Sequence, residues 1–122
     1  MAGEINPDTI TFDAPTKFKE DGSAIPVGTI SKYQYGFAQT SQAALPQASR
    51  RYTIVVDDTN MTPDAQGKQD APLSIAGALA FGQWYAASRA VSKDGPVSEW
   101  SNESAFVLQA KTPEAPTNFV VG

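Results

Sequence analysis

The stretch of sequence that decides the fold is WYAASRAVSKDGPVSEWS, residues 84–101. Its first eight residues mix small and aromatic side chains in the way that a long, half-buried β-strand does. Asp94-Gly95 is a strong turn signal, because glycine adopts backbone angles that other residues avoid. The serine-rich segment that follows has the composition of an edge strand. The stretch therefore predicts a strand, a tight turn and the start of a second strand.

The chain on either side of this stretch alternates between apolar and polar residues with a period of two, which is the period of a β-strand. The predicted strands contain Ile10 with Phe12, Tyr33 with Tyr35 and Phe37, Tyr52 with Ile54 and Val56, Leu73 with Ile75, and residues 105–108. Residues 57–72, with four aspartates, indicate an exposed loop. Six or seven short strands predict an all-β protein with an antiparallel β-sandwich, and a barrel is the alternative architecture.

The order of motifs resembles that of a fibronectin type III domain over about half of the chain. Residues 84–101 look like strand F, the FG loop and the start of strand G. Residues 9–16, 21–25 and 30–35 look like strand B, the BC loop and strand C. The resemblance implies a fibronectin type III or immunoglobulin-like sandwich, of the kind found in tailed-phage virion proteins and bacterial surface proteins.

The resemblance also implies which residues form the core and its corner. Phe12 stands where the family has a core tryptophan, and Trp84 takes the corner position, followed by Tyr85. Stacking on sugars is the alternative role for Trp84 and Trp100. Arg89 should point outward and pair with a carboxylate on a neighbouring strand. The predicted core and corner residues are Phe12, Tyr33, Tyr35, Trp84, Tyr85, Ala90 and Trp100.

The two ends of the chain depart from the family pattern. Eight residues precede the predicted strand B, and Ile5 is their one large aliphatic residue, so the family's strand A is absent or rudimentary. Residues 111–122, KTPEAPTNFVVG, look like a strand A with its linker, displaced to the C-terminus. We therefore divide the chain into a sandwich at residues 1–110, lacking a full strand A, and a strand-A-like tail at residues 111–122.

We expect this tail to be donated to a neighbouring copy by strand addition at an exposed sheet edge. The predicted assembly residues are Pro116, Phe119, Val120 and Val121, with Phe119 and Val121 filling pockets. A linker of six residues reaches about 20 Å at most, so docking on the chain's own body is strained. Docking in cis, docking on another partner and a disordered tail are the alternatives.

Composition removes several kinds of chemistry. The sequence has no cysteine and no histidine. It therefore offers no thiolate nucleophile and no Ser-His-Asp triad. Asp57, Asp58, Asp64 and Asp70 are candidate calcium ligands, but their spacing does not match an EF-hand, and a solvated acidic loop is the better interpretation. We predict no catalytic, cofactor-binding or metal-binding residue, and therefore no enzyme.

Charge and hydropathy point away from two further classes of partner. The net charge is −4, and the nine basic residues are scattered, so we expect no nucleic-acid binding. The apolar runs are too short for membrane insertion. The first residues show no basic and apolar pattern of a secretory signal, so the protein acts where it is made or leaves the cell within something larger.

These expectations together predict a non-enzymatic structural or assembly protein. The expected class is a phage virion accessory component, a capsid decoration or tail protein, located in the virion. Its expected partners are other copies of itself or a larger virion or surface protein. The alternative is a glycan- or protein-binding accessory domain of a bacterial exoenzyme or surface protein, at the cell surface or secreted as part of an assembly.

Overall fold

The computed structural model describes residues 4–60 and 67–122. This part of the chain forms strands and two short 3₁₀ turns, at Gln47–Ser49 and Leu73–Ala76. The strands are β1 Glu4–Ile5, β2 Thr9–Asp13, β3 Ile30–Ala38, β4 Ile54–Asp58, β5 Lys68–Pro72, β6 Gly82–Ser92 and β7 Ser104–Leu108. The all-β prediction is confirmed.

The strands form two sheets. One has five strands in the order β1-β7-β6-β3-β4, and the other has two strands, β2 and β5. The expectation of purely antiparallel sheets is wrong at one edge, because β1 runs parallel to β7, with Glu4 opposite Phe106 and Ile5 opposite Val107. A strand of two residues carries too little alternation to reveal its direction, so the sequence held no signal for this pairing.

A shared apolar core joins the two sheets. Tyr33, Tyr35 and Phe37 alternate along the inner face of β3, where they are almost completely buried. Phe12 reaches them from β2, with its ring centroid 4.9 Å from that of Tyr33 in an edge-to-face arrangement. Ala71, Trp84, Ala90 and Phe106 complete the buried cluster. The alternating aromatic residues that predicted β3 are therefore the residues on the inner face of the sheet.

The predicted loop at residues 57–72 is wrong at its two ends, which belong to β4 and β5, while residues 61–66 lie outside the described residues. The predicted strand at Leu73 and Ile75 is also wrong. Lys68–Pro72 forms β5, which pairs with the whole of β2. Leu73–Ala76 forms a 3₁₀ turn that ends at Gly77, with φ of 79°. The strand was missed because its two buried positions hold Gln69 and Ala71, which give no apolar alternation. Whether such a stretch forms a strand depends on packing in the folded protein and not on its local composition.

Serine side chains extend the edge of β6 beyond the point where β7 stops pairing with it. The β6–β7 ladder covers residues 82–86 of β6. Further along, the backbone N–H of Ala90 donates to Ser98 Oγ at 2.8 Å, and that of Ser88 donates to Ser101 Oγ at 2.9 Å. The backbone N–H groups of Ser98 and Ser101 donate back to the carbonyls of Ala90 and Ser88. These reciprocal bonds hold residues 98–101 against β6 without a regular ladder.

Candidate assembly surface

The C-terminal segment, residues 109–122, extends from the body without joining a sheet. Every residue of this segment is exposed and none belongs to a strand. Phe119, Val120 and Val121 are exposed by 87%, 81% and 86%. Pro116 precedes them, separated from Phe119 by Thr117 and by Asn118, which has φ of 58° and would become extended in an added strand. The predicted assembly residues are therefore all exposed to water, with Phe119, Val120 and Val121 consecutive, and the structure docks none of them on the chain's own body.

The tail leaves the body at a fixed point. Asn6, with φ of 49°, donates its backbone N–H to the carbonyl of Val107 at 2.8 Å. Its side-chain Oδ1 accepts the backbone N–H of Gln109 at 3.0 Å. Leu108 lines a small cleft together with Pro7 and Asp8, which directly precede β2. The tail therefore departs beside the first residue of β2.

The two-stranded sheet has a free edge at β2. Each residue of β2 pairs with one of β5 on one side, from Thr9 opposite Pro72 to Asp13 opposite Lys68. On the other side, no strand among the described residues pairs with β2. The unpaired backbone groups of such an edge are a template for another strand.

A groove of about 360 Å³ follows this free edge along Thr9, Ile10, Thr11 and Phe12. It lies between β2 and the part of the five-stranded sheet that the smaller sheet leaves uncovered. Its other lining residues include Phe37 from β3, Ala86 and Ser88 from β6, and Phe106 from β7. The groove therefore combines an unpaired strand edge with apolar side chains from the core.

The residues predicted for the core and corner occupy three different places. Phe12, Tyr33, Tyr35, Trp84 and Ala90 contribute to the core between the sheets. The indole N–H of Trp84 donates to the carbonyl of Ala80 at 2.8 Å, which fixes the chain just before β6 begins. Tyr85 is half-buried and alternates with Trp84 along β6, so the two side chains point to opposite faces of the sheet.

Trp100 lies on the outer face of the five-stranded sheet, away from the core between the sheets. It forms a second buried cluster with Ala38, Tyr52 and Ala87. The guanidinium of Arg89 stacks over its ring at 4.2 Å from the centroid. The expected carboxylate partner of Arg89 is absent from its described hydrogen bonds, and its Nε donates to Gln34 Oε1 at 2.8 Å. An aromatic ring on the outer face took the place of the expected ion pair.

Neither tryptophan offers a ring to a ligand in this conformation. Trp84 is exposed by 5% and Trp100 by 8%. A tryptophan that stacks on a sugar needs an open face, and both faces are covered by protein here. The structure thus places Trp84 and Trp100 in two separate packed clusters, not in a shared groove.

The aspartates that were considered as calcium ligands have separate partners. Asp57 accepts hydrogen bonds from Lys32 and Gln34, both at 2.9 Å, and these bonds lower the pKa of its carboxyl, with Lys32 the larger cause. Asp58 faces the other side of β4 and accepts the hydroxyl of Tyr35 at 2.5 Å. Asp70 accepts the hydroxyl of Thr11, and Asp64 lies outside the described residues. Across residues 4–60 and 67–122, no group of three ligating side chains could hold a metal ion.

Tyr35, which lines the groove, forms a buried polar pair with Asp58. Tyr35 is exposed by 1% and Asp58 by 6%. The pKa of Tyr35 lies well above its usual value. Burial is the larger cause of this rise, and the hydrogen bond to Asp58 is the next. The hydroxyl therefore stays protonated and satisfies a carboxylate that would otherwise be costly to bury.

Sequence reasoning missed the groove, because residues that are distant in the chain form it. Ile10, Phe37 and Phe106 come from three strands and meet only after folding. It also missed Gln69, which is fully buried in β5 and donates a hydrogen bond to the carbonyl of Asn60. A single polar residue in a stretch without alternation gives no sign of burial.

No model of a known protein family matches the chain, and no curated protein or solved structure matches it. Within the described ranges, no helix is long and apolar enough to cross a bilayer.

Proposed function

We propose that this chain is a non-enzymatic structural protein that assembles through its C-terminal strand. The observation that carries the proposal is the exposed tail, in which Phe119, Val120 and Val121 stand in water one after another. Exposed apolar runs of this kind are typical of interaction sites. Phenylalanine and valine also favour strands, so the natural bound form of the tail is an added strand.

We infer that the two sheets form a fibronectin type III-like sandwich in which the first strand is missing from its usual place. In immunoglobulin-type sandwiches, strands A, B and E share one sheet, and C, F and G share the other. The pairing of β2 with β5, of β3 with β6 and of β6 with β7 supports this correspondence. The tail, with its strand-A-like sequence, supplies what the smaller sheet lacks.

A comparison of the free energy gained by burial with the cost of ordering favours a sheet edge over a flat surface as the target of the tail. Burying Phe119, Val120 and Val121 would each contribute about 1.5–3 kcal/mol. Ordering a flexible tail costs about 1–2 kcal/mol for each residue. Because the two sums are similar for the segment 117–121, main-chain hydrogen bonds to a sheet edge are needed to make docking favourable.

The setting that we propose is a phage virion, where the protein would serve as a capsid decoration or tail component. Support comes from the resemblance of residues 84–101, 9–16, 21–25 and 30–35 to domains of this kind. Immunogold labelling of particles from the source of this sequence tests the setting. Label on the capsid or tail would support it, whereas label confined to the bacterial envelope would favour an accessory domain of a surface protein.

The assembly itself is tested by the molar mass of the full chain and of a chain that ends at Ala110, measured by size-exclusion light scattering over a range of concentrations. The full chain is expected to form oligomers and the shortened chain to be a monomer. Equal masses for the two chains at every concentration would contradict assembly through the tail.

A further inference from the structure

We propose that the groove beside the free edge of β2 is the acceptor site for the tail of a second copy of this chain. Residues 117–121 of the donor would lie along Thr9–Asp13 of the acceptor, with Phe119 and Val121 in the groove. This inference rests on the proposed assembly through the tail and adds the place where the tail binds.

The lengths of the two partners agree. The free edge of β2 has five residues. The tail offers a matching stretch of five residues, from Thr117 to Val121. Added strands use their main chain along the edge and place alternate side chains in pockets. A tail of this length can pair along the whole edge.

The side-chain pattern of the tail fits a strand with one face exposed to solvent and the other face buried. In an extended strand, Phe119 and Val121 point to one side, and Asn118 and Val120 point to the other. Along β2, Ile10 and Phe12 face the core, whereas Thr9, Thr11 and Asp13 are exposed. A donated strand that continues this alternation brings Phe119 and Val121 against the apolar floor formed by Phe37, Ala86 and Phe106.

Charge agrees with this arrangement. Residues 115–122 carry no charged side chain. The groove is lined by Glu4 at one point and otherwise by apolar and uncharged residues of the body. The tail can therefore enter without burying a charge, which would be the costliest element of such docking.

The direction of the chain favours a second copy over docking in cis. The tail departs beside Pro7 and Asp8, at the start of β2. To pair antiparallel in cis, it would first have to run to the far end of β2, near Asp13, and then reverse. To pair parallel in cis, residues 111–115 would occupy the edge, and Phe119 would lie beyond it. A donor from another copy meets neither constraint.

Disulfide trapping tests the acceptor, because the natural chain has no cysteine. Full-length chains with Thr9→Cys, Thr11→Cys or Asp13→Cys are each mixed with full-length Val120→Cys under mild oxidation. Opposite residues on neighbouring strands have the separation that a disulfide requires. We expect one of the three to form the mixed dimer about tenfold faster than the matched control, Val55→Cys on the edge strand β4.

The outcomes separate this inference from the proposed function. Tail-dependent oligomers that cross-link at Val55 and not at β2 would keep the proposed assembly and overturn the groove as acceptor. Ring closure within single chains of the Thr11→Cys/Val120→Cys double variant, without mixed dimers, would show docking in cis and overturn donation. Absence of tail-dependent oligomers in light scattering would overturn both.

Two tail variants provide a test that cannot disturb the folded body. Phe119→Asp places a charge on the face that enters the groove, and Val120→Asp places the same charge on the face that stays in water. We expect Phe119→Asp to weaken self-association by about 100-fold or more and Val120→Asp to weaken it far less. Equal effects of the two variants would contradict the proposed orientation of the strand.

Discussion

Gly36 lies on the outer face of β3, where the ring of Tyr52 covers the backbone. A Cβ added at Gly36 would lie 2.6 Å from Cγ and 2.8 Å from Cδ2 of Tyr52. These atoms belong to the rigid base of a buried ring, so they cannot move aside cheaply. We expect Gly36→Ala to lower the free energy of unfolding by about 1–3 kcal/mol, as measured by urea denaturation.

A double-mutant cycle provides the control for this prediction. In a Tyr52→Gly background Cβ, Cγ and Cδ2 of the tyrosine are all removed, so Gly36→Ala should cost much less there. If the substitution costs the same in both backgrounds, the contact with Tyr52 is not the reason for the glycine.

Tyr52 also makes stability depend on alkaline pH. Its hydroxyl donates to Glu103 at 2.9 Å. Burial, followed by this hydrogen bond, raises the pKa of Tyr52 to about 12. An unfolded tyrosine has a pKa of about 10. Between these values the unfolded chain loses its proton while the folded chain keeps it, so the free energy of unfolding falls as pH rises.

The contribution of Tyr52 is therefore complete below about pH 10 and is lost as the pH approaches 12. Urea denaturation at several pH values measures the slope. Tyr52→Phe should reduce the dependence of the free energy of unfolding on pH by at most about 1.4 kcal/mol per pH unit. The remaining dependence on pH would include the contribution of Tyr35. A slope that is unchanged in Tyr52→Phe would contradict the assignment.

At the scale of elements, the serines of residues 98–101 replace part of a strand ladder. Ser98 Oγ accepts from Ala90, and Ser101 Oγ accepts from Ser88, along the edge of β6. Ser98→Ala and Ser101→Ala should each lower the free energy of unfolding by about 1–2 kcal/mol, because each leaves a half-buried N–H without its acceptor. Ser49→Ala, at an exposed position in the first 3₁₀ turn, is the matched control.

Hydrogen exchange locates this effect. The amide of Ala90 should exchange faster in Ser98→Ala, and that of Ser88 in Ser101→Ala, with the other β6 amides less affected. Uniform acceleration throughout β6 would indicate general destabilisation and would contradict a local role for the two hydroxyls.

The elements differ in how far the sequence could predict them. β3 and β6 were predictable, because their inner faces carry aromatic or small residues at alternate positions. β5 was not, because its two buried positions hold Gln69 and Ala71, which give no apolar alternation. The tail could be singled out by its apolar residues after a proline-containing linker. The groove could not, because it is a product of three-dimensional packing.

At the scale of the whole molecule, the tail should couple stability to concentration. Residues 109–122 are exposed and outside the strands, so a chain that ends at Ala110 should unfold like the dilute full chain. At higher concentration, a donated tail would bind the folded acceptor and stabilise it by mass action. We expect the Tm of the full chain, measured by calorimetry, to rise with concentration and that of the shortened chain to stay constant.

The shortened chain is the control within this experiment. A Tm that rises with concentration in both chains would point to association through another surface. A Tm that rises in neither chain would contradict the coupling between tail binding and folding.

The parallel pairing of β1 with β7 determines how the protein would carry mechanical load. Because the two strands run in the same direction, the chain enters the body on one side and leaves it on the other. Tension between the two ends would pull β1 and β7 past each other along their length. The bonds between them, together with those of Asn6 to Val107 and Gln109, would be loaded at the same time, not one after another. This edge of the sheet would therefore act as a shear joint when the chain is stretched from its two ends.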